Sequence, residues 1–423
     1  MFSPRLVFQR TFRETQSVQV SSKITRFNQP YCPTSARRAS NHTRTMSIYS
    51  KSNVSTAPET PVENPSTSAS HNAWSSPGPS AIDLRSDVVT TPTPSMLTAI
   101  GNCSLFDDVF QEDPTTSSLE SFVASLAGKP AAVLVLSGTM GNQVAIRTHL
   151  QAPPHSIIVD DRSHIIRYEA GGAASLSGAM VTTVKPSNGR HLTLEDVKEH
   201  VVLSDDVHAC PTKMVCLENT LNGTILPLEE CRRISEWVRG HGIIMHLDGA
   251  RLWEAVVAGA GELKGYCECF DTVSLCFSKG LGAPIGSILV GQEAFVKRAR
   301  WVRKSIGGGM RQTGIIAAPA RVAVEETFLG GGLQAAHVRA KKLGDYWESL
   351  GGKHEFPVET NMVWLSLKGT GVDTDEFIKL AESKGLRVMG ERLVIHYQVT
   401  DEAEGKLKEV MNDVFSGKAK GEN

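Results

Sequence analysis

From Ile82 onward, short apolar runs alternate with longer amphipathic stretches and glycine-rich turns. This is how strands and helices alternate around a mainly parallel sheet. The apolar runs predict strands at 131–136, 156–159, 179–184, 214–218, 243–247, 272–276 and 286–290, and helical spacing predicts helices at 119–126 and 228–239. Beyond the glycines at 330–332 the units change: a long polar helix at 334–350, a strand at 361–367, a helix at 373–383 and a strand at 393–396. The expected fold class is α/β, with a large domain at 81–330 carrying the mainly parallel sheet and a smaller C-terminal α+β domain at 331–423. No apolar run approaches the roughly 18 residues that span a bilayer, so no membrane partner is expected.

The segment before Ile82 has a different character. Residues 1–45 carry Arg5, Arg10, Arg13, Lys23, Arg26, Arg37, Arg38 and Arg44 against the single acid Glu14, a bias that resembles a mitochondrial transit peptide. Pro4 interrupts its start, and Arg13 falls on the apolar side of the helical wheel. The expected compartment is the mitochondrion if this segment directs import and the cytoplasm otherwise. Residues 46–80 are dominated by Ser, Pro, Thr and Asn and are expected to be a disordered linker, too polar to offset the entropy of ordering. Over the whole chain 44 Lys and Arg balance 45 Asp and Glu, which gives no field to draw a polyanion, so no nucleic-acid partner is expected. The eight cysteines show no CxxC pair or His–Cys spacing, so no metal site is expected and reduced thiols are the favoured reading. A redox role for Cys267 and Cys269 is the weaker alternative.

Three local patterns carry chemistry. In His246-Leu247-Asp248-Gly249-Ala250-Arg251 an acid and a base sit just past a buried strand, beside a glycine that permits a tight turn. In Ser278-Lys279-Gly280-Leu281-Gly282 a lone lysine occupies a glycine-rich turn after the next strand, where partial desolvation makes its amine a nucleophile toward an aldehyde. Alone, it would read as a surface lysine. Ser137-Gly138-Thr139-Met140-Gly141-Asn142 leads from a strand into a helical pattern, where free amides and hydroxyls suit a phosphate. Alone, that is an ordinary helix cap, and it matches neither a Walker loop nor GxGxxG. Together the three ask for a phosphorylated aldehyde with a ring nitrogen. Pyridoxal 5′-phosphate meets the demand: phosphate on Ser137, Gly138 and Thr139, aldehyde on Lys279 and ring nitrogen on Asp248. His164 follows another strand and is placed to lay its imidazole on the ring, the alternative being a structural histidine.

At these residues the chain resembles the low-specificity L-threonine aldolases, pyridoxal phosphate enzymes of fold type I. The resemblance runs from Asp83-Leu84-Arg85-Ser86-Asp87 through Tyr168-Glu169-Ala170-Gly171-Gly172, the His246 and Lys279 motifs and Gly307-Gly308-Gly309-Met310-Arg311-Gln312, then weakly to Arg392-Leu393-Val394. It implies that Lys279 is the Schiff-base lysine, Asp248 the partner of the pyridine nitrogen and His164 the stacking ring. Arg311 matches the arginine that reaches a phosphate in a neighbouring subunit, which implies a homodimer or homotetramer with shared active sites. Ser86, Arg251 and Arg392 match the groups that hold the substrate carboxylate. The implied reaction cleaves L-threonine or L-allo-threonine to glycine and an aldehyde, with His164 or a bound water taking the β-hydroxyl proton.

Two positions depart from the family. Leu221 stands where it usually has His, and Phe110 where it usually has Tyr. Both changes are expected to make the pocket for the β-substituent more apolar and to shift side-chain or diastereomer preference. The cofactor motifs do not dictate which bond breaks, so a β-eliminating lyase or aminotransferase is an alternative activity, and a catalytically degenerate paralogue is a third.

Overall fold

The computed structural model describes Trp74 and residues 78–416. The basic segment 1–45 and most of the predicted linker lie outside the described residues. The end of that linker departs from expectation: residues 79–82 form a helical turn, and buried Ser80 donates to Oε1 of Gln398 at 2.6 Å, so Pro79 and Ser80 belong to the fold.

Seven strands form the main sheet: β1 Ala131–Val135, β2 Ser156–Asp160, β3 Met180–Val184, β4 Thr212–Glu218, β5 Ile244–Asp248, β6 Thr272–Cys276 and β7 Ser287–Gly291. Each lies within two residues of its predicted run. Their order is β1-β7-β6-β5-β4-β2-β3, parallel throughout except for β7, which runs antiparallel to both neighbours. Most strand residues are buried because helices cover both faces, which is why these strands read as continuous apolar runs rather than alternating ones. The helices Pro114–Leu126 and Leu228–Gly240 extend the predicted ones, the first by a turn capped by Asp113.

A second sheet, ordered β10-β9-β8, joins β8 Lys353–Phe356, β9 Met362–Ser366 and β10 Arg392–Val394, all antiparallel. The short, half-exposed β8 has no apolar run to announce it. This sheet and the helices Gly332–Ser349, Thr374–Ser383 and Asp401–Phe415 enclose a separate core that includes Trp347, Phe377 and Leu407. Leu84, from the start of the segment assigned to the large domain, belongs to that second core; its amide donates to the carbonyl of Arg387, and its own carbonyl accepts from Val394. The segment that follows it, Ser86 to Thr90, is thereby anchored from the small unit's side and carried to the C-terminal ends of the large sheet.

Among the described residues no helix is long and apolar enough to cross a membrane. The seven described cysteines are unpaired. Burial raises the Cys267 thiol to about 12 and Cys269 in the same direction, so neither is a reactive thiolate at neutral pH.

Candidate active site

The site gathers where β4, β5 and β6 end. Asp248 is the last residue of β5, buried, with Oδ1 accepting from the amide of Ala250 at 3.1 Å. The turn after it must hug the next strand: a Cβ on Gly249 would lie 2.9 Å from the carbonyl oxygen of Ser274, which cannot move without breaking the sheet. On the neighbouring strand β6 runs into the turn of Lys279, whose carbonyl accepts from the hydroxyl of Thr90 at 2.8 Å.

Beneath Asp248 lies a chain of buried polar groups. Nδ2 of Asn142 donates to Oδ2 of Asp248 at 2.7 Å and to Oε1 of Glu169 at 2.8 Å, which fixes the orientation of the amide. Its oxygen must then accept from Nε2–H of His246 at 3.0 Å, leaving Nδ1 to accept from the Thr272 hydroxyl. Burial pushes His246 down to about 4, so the ring is neutral and can play both parts. Glu169 also receives Nε2 of Gln143 at 2.6 Å and faces Nδ1 of His164 at 2.8 Å. Nδ1 of His164 is thus engaged by a carboxylate oxygen, and Nε2 takes no part in that contact. Donor atoms of His164, Glu169 and Asp248 all lie within 4.8 Å of one another, which brings the predicted stacking ring to the predicted partner of the ring nitrogen.

Asn142, Gln143, Glu169, His246 and Asp87 are functional neighbours to which sequence reasoning gave no role. Asn142 falls four residues after Gly138, on the same helix face, and that spacing was the available signal for it.

The two arginines predicted to hold the substrate carboxylate, Arg251 and Arg392, differ in their partners. Arg251 does not present a free fork: Nε donates to Oδ2 of Asp87 at 2.7 Å and Nη2 to Oδ1 at 2.6 Å. One edge of its guanidinium is matched to an internal carboxylate, and Nη1 takes no part in that pair. Arg392 is the less committed guanidinium. Its Nη2 donates to the carbonyl of Arg85, and its carbon lies 5.9 Å from the Trp364 ring centroid. Burial and the neighbouring Arg251 charge pull its pKa downward, the state of a cation short of anionic partners. Ser86 lies beside Asp87, its hydroxyl accepting weakly from Val88 N at 3.4 Å.

The helix Gly138–His149 opens at Ser137, whose hydroxyl accepts from the amide of Met140 at 3.1 Å. The amides of Gly138 and Thr139, in the first turn, have no partner within the helix. A Cβ on Gly138 would meet Sγ of Cys276 at 2.8 Å, so only glycine lets this turn pack against β6. First-turn amides for a phosphate, an amine, a buried carboxylate and an imidazole are thus all present, and this donor set fits pyridoxal phosphate.

Two assigned residues do not join the cluster. Arg311 is 60% exposed in its side chain and pairs with Asp107 at 2.5 Å. Phe110 is 69% exposed in the turn anchored on that same Asp107, so within one chain it faces solvent rather than the β-substituent pocket. Leu221, by contrast, is buried in the loop after β4, its backbone bridged to Thr224. A cavity of about 1020 Å³ opens elsewhere, beside Glu120, Arg300 and Trp301, and shares no lining residue with this cluster.

The chain matches the model of the family described as Beta-eliminating lyase over residues 83–370. It is 58% identical over 342 residues to aldolase vrtJ of Penicillium aethiopicum, covering 81% of this chain and 88% of that one. It is 44% identical over 349 residues to alanine racemase TOXG of Cochliobolus carbonum, covering 81% and 90%. It is 46% identical over 336 residues to the low specificity L-threonine aldolase of Saccharomyces cerevisiae, covering 79% and 87%. Among solved structures, Leishmania major threonine aldolase has the same fold at a TM-score of 0.69 and 19% identity, covering 78% of this chain and 99% of that one.

Proposed function

Because the chain belongs to the beta-eliminating lyase family, and within it to the low-specificity L-threonine aldolases, it is a pyridoxal-phosphate-dependent aldehyde-lyase, and we propose that its substrates are L-threonine, L-allo-threonine and β-hydroxy amino acids with larger apolar side chains, cleaved to glycine and an aldehyde. When bound, the cofactor supplies a ring that takes up the electron pair released at Cα. Arg392 binds the substrate carboxylate, and Ser86 lies beside it. Arg251, held rigid by Asp87, adds positive charge without surrendering its fork. Nε2 of His164, the ring nitrogen not engaged by Glu169, takes the β-hydroxyl proton, while Glu169 steadies the imidazolium that results. Leu221 gives the β-substituent an apolar wall. Arg311 and Phe110, exposed side by side, complete the site of a second copy of the chain.

The observation that carries this reading is the charge balance on the substrate side. Lys279 and Arg251 act on the buried Asp87, while the half-buried Arg392 is lowered by the Arg251 charge and, among the described residues, has no carboxylate as a hydrogen-bond partner, an arrangement that favours an anionic amino acid. The test is the full chain with pyridoxal phosphate, offered a panel of β-hydroxy amino acids while glycine and aldehyde are quantified. Equal yields of the two support the reading. Ammonia with a keto acid would move it to β-elimination. The likeness to alanine racemase TOXG favours a second reading, racemisation, which predicts D-alanine from L-alanine and no aldehyde.

A further inference from the structure

Glu218 ends β4 and pairs in register with Asp248 at the end of β5, so the two side chains leave the sheet on the same face. Its Oε2 accepts from the backbone amide of His164 at 2.7 Å. The charged groups acting on it are Asp248 from β5, Arg251 from the turn after β5, Lys279 from the turn after β6 and Arg162 from the turn before His164. Burial, and then the Asp248 carboxylate, push its carboxyl up to about 8 from an ordinary 4.5, and the cations do not reverse this. The direction of this shift favours the protonated carboxyl, which has a proton to donate.

The order of the sheet gives that proton a place. The phosphate cradle stands at the start of the helix after β1, on the β1-β7-β6 side of β5, whereas β4 lies on the opposite side. A pyridoxal ring with its nitrogen at Asp248 and its aldehyde carbon at Lys279 has two lateral edges. One bears the phosphate arm and the other the ring hydroxyl. With the phosphate arm toward Ser137, the hydroxyl edge would face β4 and Glu218.

We propose that Glu218 is a positioning residue for the cofactor: its carboxyl proton forms a hydrogen bond to the ring hydroxyl oxygen, while its other role is to hold the backbone of His164. The proton is shared rather than transferred, and when Glu218 ionises the proton passes to solvent and the ring loses its donor. This assignment rests on the cofactor and not on the identity of the substrate.

The test is the visible absorbance of the bound cofactor, followed in the holoenzyme without substrate from about pH 6 to about 9.5. The wild type is expected to show a spectral step within this range, because the Glu218 carboxyl is shifted upward. Glu218→Gln keeps a donor that cannot ionise, so the step should vanish or move by about one pH unit or more, with cofactor retained through gel filtration. Glu218→Asp, which withdraws the carboxyl by one methylene, should keep a step at a displaced midpoint. A Gln variant that titrates as the wild type does, or a wild type with no step in this range, would overturn the proposal. If the Gln variant loses the cofactor, an Asp variant with the wild-type midpoint would overturn it equally. A protein with no visible band at all would instead count against cofactor binding, so the two failures are distinguishable.

Discussion

Replacing Asp87 with asparagine asks whether Arg251 depends on its paired carboxylate. Asp87 is 0% exposed and receives two parallel hydrogen bonds from Arg251, at 2.7 and 2.6 Å. Asparagine keeps the shape but offers one acceptor and turns a donor toward the guanidinium. Removing one partner of a buried ion pair costs about 3–5 kcal/mol, because the remaining charge is left unpaired. Arg251 retains 17% side-chain exposure, so water screens it in part and the lower end, about 3 kcal/mol, is expected. At roughly 2 °C per kcal/mol for a chain of this size, the melting temperature should fall by about 6 °C with cofactor held at saturation. The pH dependence has a definite sign. Burial alone would raise the Asp87 carboxyl, but the charge and hydrogen bonds of Arg251, with Lys279 and His396 nearby, hold it below 3.8. A depressed carboxyl stabilises the fold above its unfolded pKa and loses that contribution as pH falls through the folded value, so the gap between wild type and variant should narrow in acid. A variant melting within about 1 °C of the wild type at neutral pH, or a gap that widens in acid, would refute this account of the pair.

Three further outcomes are expected. Leu221→His restores a proton acceptor in the loop after β4 and should raise the rate of glycine formation from threonine by about tenfold or more, changing the threonine to allo-threonine ratio; an unchanged rate and ratio would count against the apolar-wall reading. Gly138→Ala places a methyl 2.8 Å from Sγ of Cys276 and should weaken cofactor binding. The loss should be about tenfold in Kd by equilibrium titration, and Cys276→Ala in the same chain should restore most of it; failure of the rescue would mean the contact is not the cause. His246, held neutral to about 4 by burial, binds fewer protons folded than unfolded, so stability present above pH 6.5 is lost as pH falls toward 4. His246→Asn should flatten that part of the melting-temperature profile, and an equally steep profile would show that another group is responsible.

The sequence alone located the strands of the main sheet, the helix after β1, and Lys279 and Asp248 with their turns, because each is written locally: apolar runs, glycines at tight bends and a polar residue at a strand end. It also pointed to His164 and to the Ser137–Thr139 cradle, since each lies just past such a strand. What the sequence could not supply was partnership. Asp87 and Arg251 are 164 positions apart, and only the docking of the N-terminal segment along the small unit brings them together. Asn142 and His246 meet because the helix after β1 crosses over β5, and Glu218 stands beside Asp248 because β4 is the neighbour of β5. Arg311, expected to serve a neighbouring subunit, and Phe110 are both exposed in a single chain. Periodicity and turn chemistry act over a few residues and can be read along the chain; which charge neutralises which is decided by strand order and burial, which exist only in three dimensions.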